Sequence, residues 1–203
     1  MANFEKSQVI VGLNEGGYQN DPDDSGNWYM GALIGTNWGI AAPTFAGFLG
    51  RTPTVAEMKN LSKATAELIL KRNFWDKNNF GKLNNQSVAT MLYDGAVNHG
   101  VSGMRLLAEK ALTRLKHPLV YYKVFTAEGI ELMNKLNQKE LFYALKEARA
   151  NRYQASPKKK YINGWMNRLE RIKYSPESTS SGSSYLGYTA LLLIGFGLLL
   201  FAL

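Results

Sequence analysis

The 203-residue chain has no cysteine and only two histidines, His99 and His117. Without thiols there is no disulfide framework and no cysteine-based zinc site, and two imidazoles cannot complete an all-histidine one. Thiol chemistry and most zinc hydrolase chemistry are thereby excluded. A second absence is local: the 26 residues after Glu177 contain no Lys, Arg, Asp or Glu. Excess charge is missing from the first hundred residues, which hold 8 basic and 9 acidic side chains against 16 and 7 in the remainder, so the net +8 arises wholly beyond residue 100. With 45% hydrophobic and 20% charged residues, the chain has the composition of a folded protein rather than a disordered one.

The C-terminal stretch from Ser175 divides in two. Residues 175–184, SPESTSSGSS, have nothing to bury and read as a flexible linker. Residues 185–203, YLGYTALLLIGFGLLLFAL, have no polar face; as a helix they would extend roughly 28 Å, close to a hydrocarbon core of about 30 Å. This pattern predicts a C-terminal transmembrane helix, with Tyr185 and Tyr188 at the interface. The preceding Lys158, Lys159, Lys160, Arg168, Arg171 and Lys173 predict a cytoplasmic body by the positive-inside rule, and the N-terminal sequence carries no cleavable export pattern.

The body reads as mainly α. Phe4, Val9, Ile10, Val11 and Leu13 predict an opening helix that ends near Gly16-Gly17, leaving Glu15 at its C-terminal lip. Residues 19–39, rich in Asn, Asp, Gly and aromatics, predict an irregular loop or small hairpin. Thr54 with Glu57 forms a capping-box signal, followed by Val55, Met58, Leu61, Ala64, Leu68 and Ile69 at helical spacing. Further helices are predicted around 86–98, 101–116, 126–136, 138–153 and 163–172.

Chemistry concentrates in Glu15-Gly16-Gly17-Tyr18, Asn20-Asp21-Pro22-Asp23-Asp24-Ser25-Gly26 and Thr36-Asn37-Trp38-Gly39-Ile40. An acid beyond an apolar helix and beside aromatics loses hydration, which raises its pKa toward that of a general acid. Asp24, nine residues on in a polar loop, can stay ionised and polarise a water or steady an oxocarbenium-like sugar. Two carboxylates in different surroundings suit glycoside hydrolysis. The same aspartates also read as turn residues or a calcium loop, although the alternation of an EF-hand loop and its terminal Glu is absent.

Those three blocks resemble the motif of glycoside hydrolase family 108, in the lysozyme-like superfamily. Asp94 with Asn98-x-Gly100, Arg149 with Arg152-Tyr153, and Gly164-Trp165-x-x-Arg168 extend the similarity over residues 4–172. The resemblance implies a lysozyme-like helical fold with a small irregular or hairpin region at the active site. It also implies a catalytic region over 1–95 and a peptidoglycan-associated helical region over 96–174 packed on it. The implied activity is that of an N-acetylmuramidase cutting the β-1,4 bond between N-acetylmuramic acid and N-acetylglucosamine, without metal or other cofactor. Glu15 would be the catalytic acid, Asp24 a base or electrostatic partner, and Thr36 a group orienting water; Tyr18, Asn37, Trp38 and Asn98 would bind substrate. Two features depart from the family pattern: Asp24-Ser25-Gly26-Asn27 stands where Asp-Pro-Gly-Gly is frequent, and an insertion over 28–35 precedes Thr36.

Outside these blocks, His99 reads as a packing or capping residue, Asp94 as a buried hydrogen-bonding acid, Trp165 as core and Arg168 as a partner of a nearby group. The basic second half fits a solvated face, a nucleic-acid site or attraction to anionic wall polymer and phospholipid. No nucleic-acid motif accompanies it, and Lys158 to Lys160 near the span favour lipid headgroups. The expected partners are glycan strands and membrane lipid, with no nucleic acid. The expected location is the cytoplasmic membrane, with the body cytoplasmic until exposed to the wall. A membrane-anchored peptidoglycan-binding or secretion-assisting protein with little hydrolysis is the competing reading, and phage endolysin and bacterial wall-remodelling roles both fit.

Overall fold

A computed structural model of the chain describes residues 1–12 and 17–176. The opening helix and those from residue 86 onward fall close to the predicted positions because their ends are set by local chemistry. Helix α1 (Phe4–Gly12) starts where the Asn3 carboxamide accepts the Lys6 amide at 2.9 Å, and it buries Phe4, Ser7 and Val11 along one stripe. That stripe faces α5 (Gln86–Arg114), whose first turn is capped by the Asn85 side chain accepting from Ser87 and Val88. Residues 87–96 of α5 are all buried, so this helix runs through the core. Ser7 bonds Thr90 at 2.8 Å, Tyr93 donates to Gln8 at 2.6 Å, and Phe4, Trp75 and Tyr93 meet edge to face.

Following α1 in the chain, residues 28–41 form two short antiparallel hairpins. Strands β1 (Trp28–Tyr29) and β2 (Ala32–Leu33) turn through Met30-Gly31; β3 (Thr36–Asn37) and β4 (Ile40–Ala41) turn through Trp38-Gly39. Both turns have positive φ at both central residues, 49° and 79° in the first and 51° and 75° in the second, which matches the right-handed twist of a two-residue hairpin. Methionine and tryptophan are unusual there, since a left-handed L-residue costs roughly 1–2 kcal/mol. The hairpins are therefore hard to read from composition.

Helix α2 (Ala42–Leu49) follows, with proline in its first turn and Gly50 left-handed at its end. The predicted capping box is present at α3 (Val55–Lys59), but the helix expected to continue through Ile69 is divided. The Asn37 carboxamide donates to the Met58 and Lys59 carbonyls, which in a continuous helix would accept from Ser62 and Lys63. Ser62 instead caps a new helix, α4 (Lys63–Leu70).

A π turn and two short 3-10 turns lead to α5, which bends at Gly100 (φ 73°, ψ 156°), between the two helices predicted there. Helices α6 (Ala127–Lys135), α7 (Gln138–Gln154) and α8 (Ile162–Arg171) complete the body. The division expected between residues 95 and 96 falls inside α5, and buried side chains from Phe4 to Ile172 form one core. Among the described residues no helix is long and apolar enough to cross a membrane, and the apolar stretch 185–203 lies outside them.

Candidate active site

Glu15 lies outside the described residues, between Gly12 at the end of α1 and Gly17. The chain after it is fixed firmly. Gln19 exchanges two backbone hydrogen bonds with Thr36, at 2.9 and 2.8 Å, which sets Tyr18 and Gln19 alongside β3. The Tyr18 hydroxyl donates to the Ile34 carbonyl at 3.2 Å, and the Lys59 ammonium lies 5.2 Å from its ring centre.

Gly35 makes this approach possible. It sits at φ 98°, and a β-carbon there would stand 2.6 Å from the Tyr18 ring and 2.7 Å from the Gln19 carbonyl oxygen. A Gly35→Ala protein is expected to lose about 1–3 kcal/mol of stability through overpacking and strain. Tyr18 and the Gln19 carbonyl must also move away from the added methyl group. Urea denaturation checks the loss.

Asn27 organises the loop that carries Asp24. It is fully buried; its Nδ2 donates to Gln19 Oε1 at 2.8 Å and to the Asp21 carbonyl at 2.9 Å, while its Oδ1 accepts from Gln19 Nε2 at 3.0 Å. Its own carbonyl accepts the Ile34 and Gly35 amides. In the sequence, Asn27 stands out only as a departure from a glycine. The turn chemistry of Asp24-Ser25-Gly26-Asn27 was the available signal, but burial of the amide depends on Gln19 eight residues away.

Asp24 is half-buried and anchored through both oxygens. Oδ1 accepts the Gly26 amide at 3.0 Å, capping a 3-10 turn over Ser25–Asn27, and Oδ2 accepts from Gln19 at 3.3 Å. Asp21 and Asp23 turn outward to partners in residues 158–161: Tyr161 donates to Asp21 at 2.6 Å, and Lys160 meets Asp23 at 2.9 Å. The Tyr161 hydrogen bond holds the Asp21 carboxyl below its ordinary pKa, aided by the Asp23 amide and by Lys160 and Lys158. Among the described residues no group of three or more metal-ligating side chains is found, so the calcium reading gains nothing here. Lys158 and Lys160, expected to face lipid, instead reach the Asp21–Asp23 turn.

The predicted binding residues separate. Trp38, half-buried, lines a cavity of about 50 Å³ with Gln8, Gly12 and Leu70, at the end of α1. Asn37 is 3% exposed and both its amide hydrogens serve the α3 carbonyls, so it braces the hairpin rather than facing open space. Asn98 accepts from Tyr153 at 2.8 Å within a polar cluster on α5 and α7. At the centre of that cluster, buried Asp94 pairs with Arg149 at 2.5 Å and Arg168 at 2.8 Å, and Arg149 also donates to Tyr153 and the Met91 carbonyl. Burial alone would raise the Asp94 pKa; the two guanidiniums outweigh it and hold the carboxyl below its ordinary value.

His99 packs on Tyr153, ring centres 4.9 Å apart, with its Nε2 buried and unbonded among the described residues. Burial, then the nearby Arg149 and Arg152, push its pKa down to about 3. An unfolded imidazole titrates near 6.5, so the unfolded chain binds more protons across that interval. The contribution of His99 to stability is complete above about pH 6.5 and is lost as pH falls toward 3. By pH 5 the loss should reach about 2 kcal/mol. Comparing urea midpoints at pH 7 and 5 tests this, since a His99→Leu protein should lose most of the difference.

Two larger clefts, about 440 Å³ between α5 and α7 and about 560 Å³ around the start of α5, contain none of the residues in the Glu15-to-Ile40 blocks. The candidate site therefore rests on its side chains, not on cavity size.

The family described as Glycosyl hydrolase 108 matches residues 9–100, which include the Glu15 block, both hairpins and the first half of α5. The solved structure of Brucella abortus SagA is similar, with a TM-score of 0.70 and 26% identity, covering 83% of this chain and 90% of that one. No curated protein matches the sequence.

Proposed function

We propose that this chain, whose residues 9–100 match the Glycosyl hydrolase 108 family, is a glycoside hydrolase that acts on peptidoglycan, cutting the β-1,4 bond between N-acetylmuramic acid and N-acetylglucosamine. Glu15 protonates the glycosidic oxygen as the bond breaks. Asp24 stabilises positive charge on the sugar ring, a role its two hydrogen-bonded oxygens suit better than abstraction of a proton from water. Thr36 orients water, and Tyr18 and Trp38 meet the sugar.

The observation that carries this reading is convergence at one place. The Gly17-Tyr18 end of the acid motif is bonded to β3 through Gln19 and Thr36, and Asp24 is held on the loop between them. The link from Gln19 to both Asp24 and Thr36 supports the reading that these residues work together. Digestion of purified sacculi, borohydride reduction and mass spectrometry of the products provide the test. Reduced N-acetylmuramic acid at the new ends supports the assignment, whereas reduced N-acetylglucosamine overturns the bond chosen. Wall binding without solubilised product would favour a peptidoglycan-binding protein.

Attachment to a membrane through residues 185–203 is part of the proposal, supported by the uncharged composition of that segment. Flotation of the full chain with lipid vesicles, lost on deletion of 185–203, checks it. The proposed body is cytoplasmic until released to the wall, and protease accessibility in spheroplasts reports its side.

A further inference from the structure

The loop bearing Asp24 is held from outside as well as from within. Residues 158–161, which lead into α8, reach back across more than 130 positions to the Asp21–Asp23 turn. Lys158 Nζ donates to the Asp23 carbonyl at 2.7 Å, Lys160 Nζ lies 2.9 Å from the Asp23 carboxylate and 3.7 Å from that of Asp21, and the Tyr161 hydroxyl donates to Asp21 Oδ2 at 2.6 Å. Asp21 is the pivot: its carbonyl accepts the Asp24 amide at 3.1 Å and Asn27 Nδ2 at 2.9 Å.

Behind Tyr161 the contacts run inward to rigid structure. Its ring lies 5.6 Å from Trp165, Trp165 stacks on Tyr153 at 5.4 Å, and Tyr153 is bonded to Arg149 and Asn98 in the buried Asp94 cluster. The exposed turn is thereby linked to the buried polar cluster of the core. The cations are largely solvent-exposed, so their pairs add little to global stability. What they restrict is the freedom of the 21–27 loop.

We infer that Tyr161 is a positioning residue, which through its hydrogen bond to Asp21 fixes the loop holding Asp24 and Asn27 in the geometry needed for glycan hydrolysis. The inference rests on the proposed hydrolase reading. It makes residues 158–161 part of the working site, although they lie far from it in sequence.

Tyr161→Phe removes the hydroxyl and keeps the ring on Trp165. Tyr143→Phe, at an exposed tyrosine on α7, is the matched control. In the full chain, Y161F should keep its melting temperature within about 2 °C. Its kcat on solubilised glycan strands should fall about tenfold or more with KM within about twofold, since small displacements of reacting groups are costly to rate. The Gly26 and Asn27 amides should lose protection from hydrogen exchange in Y161F and not in Y143F. Wild-type kcat in Y161F would overturn the positioning role. If the wild-type chain cleaves no glycan, the hydrolase reading fails by itself; the exchange measurement then still decides the clasp, and unchanged Gly26 and Asn27 protection in Y161F would overturn it.

Discussion

A Glu15→Gln protein is expected to lose peptidoglycan hydrolysis by about 10²–10⁴-fold while remaining folded, the largest effect of any conservative substitution in the chain. Glutamine keeps the size of the side chain and its ability to hydrogen-bond, but it has no proton to give the departing oxygen. The sugar leaving group is a poor one unless protonated as the bond breaks. Substrate affinity should change little, so the loss should appear in kcat rather than KM. Turbidity clearance of purified sacculi and a zymogram measure the loss, and circular dichroism confirms the fold. Clearance by E15Q equal to that of wild type would remove Glu15 from the mechanism and leave no general acid in the motif.

The second large effect concerns stability. Asp94→Ala is expected to cost about 3–5 kcal/mol, because it leaves Arg149, itself fully buried, and Arg168, mostly buried, without their shared carboxylate. At about 2–4 °C per kcal/mol for a body of this size, the melting temperature should drop by roughly 6–20 °C. Removal of an exposed pair such as Glu131–Lys135 should change stability by no more than about 0.5 kcal/mol. Arg168→Met should fall between these, since Arg149 still neutralises Asp94. Thermal unfolding of the three variants at pH 7 gives the order, and a D94A melting temperature equal to wild type would contradict the burial argument. The cluster also anchors Tyr153, so D94A should loosen the stack beneath Tyr161.

Both effects involve residues that stand out in the sequence, though for different reasons. Glu15 is marked by Gly16-Gly17 after an apolar helix, and Asp94 by its place on the run Met91-Leu92-Tyr93. The reading of Asp94 as a buried hydrogen-bonding acid, and of Arg168 as a residue with a nearby partner, agrees with their contact at 2.8 Å. The partnership of Arg149 with Asp94 is not legible, because 55 residues separate them and α7 carries other basic side chains. The continuous helix expected from Val55 to Ile69 shows a related limit. Its apolar spacing is real, but two carbonyls inside it are taken by Asn37, twenty-one and twenty-two positions earlier.

Lys158 and Lys160 show the same limit in charge. A basic run before an apolar tail suggests lipid headgroups, yet two of its lysines lie against Asp23, 135 and 137 residues away. Electrostatic pairing depends on distance in space, and a charge run says nothing about which acids the fold brings near.

By itself the sequence determined most helix ends and the bend in α5, though not the break between α3 and α4. Caps at Asn85, Thr126 and Asn137 and the bend at Gly100 act within a few residues of where they stand. It also determined the Glu15-to-Ile40 motif and the uncharged tail. Tertiary structure decided which polar groups lose water and what replaces it: Asn27 on Gln19, Asn37 on α3, Asp94 between two arginines, and Tyr161 on Asp21. The reason is energetic. A cap satisfies its hydrogen bonds locally, whereas a buried amide or carboxylate is tolerable only when distant segments deliver its partners, and that delivery is the fold itself.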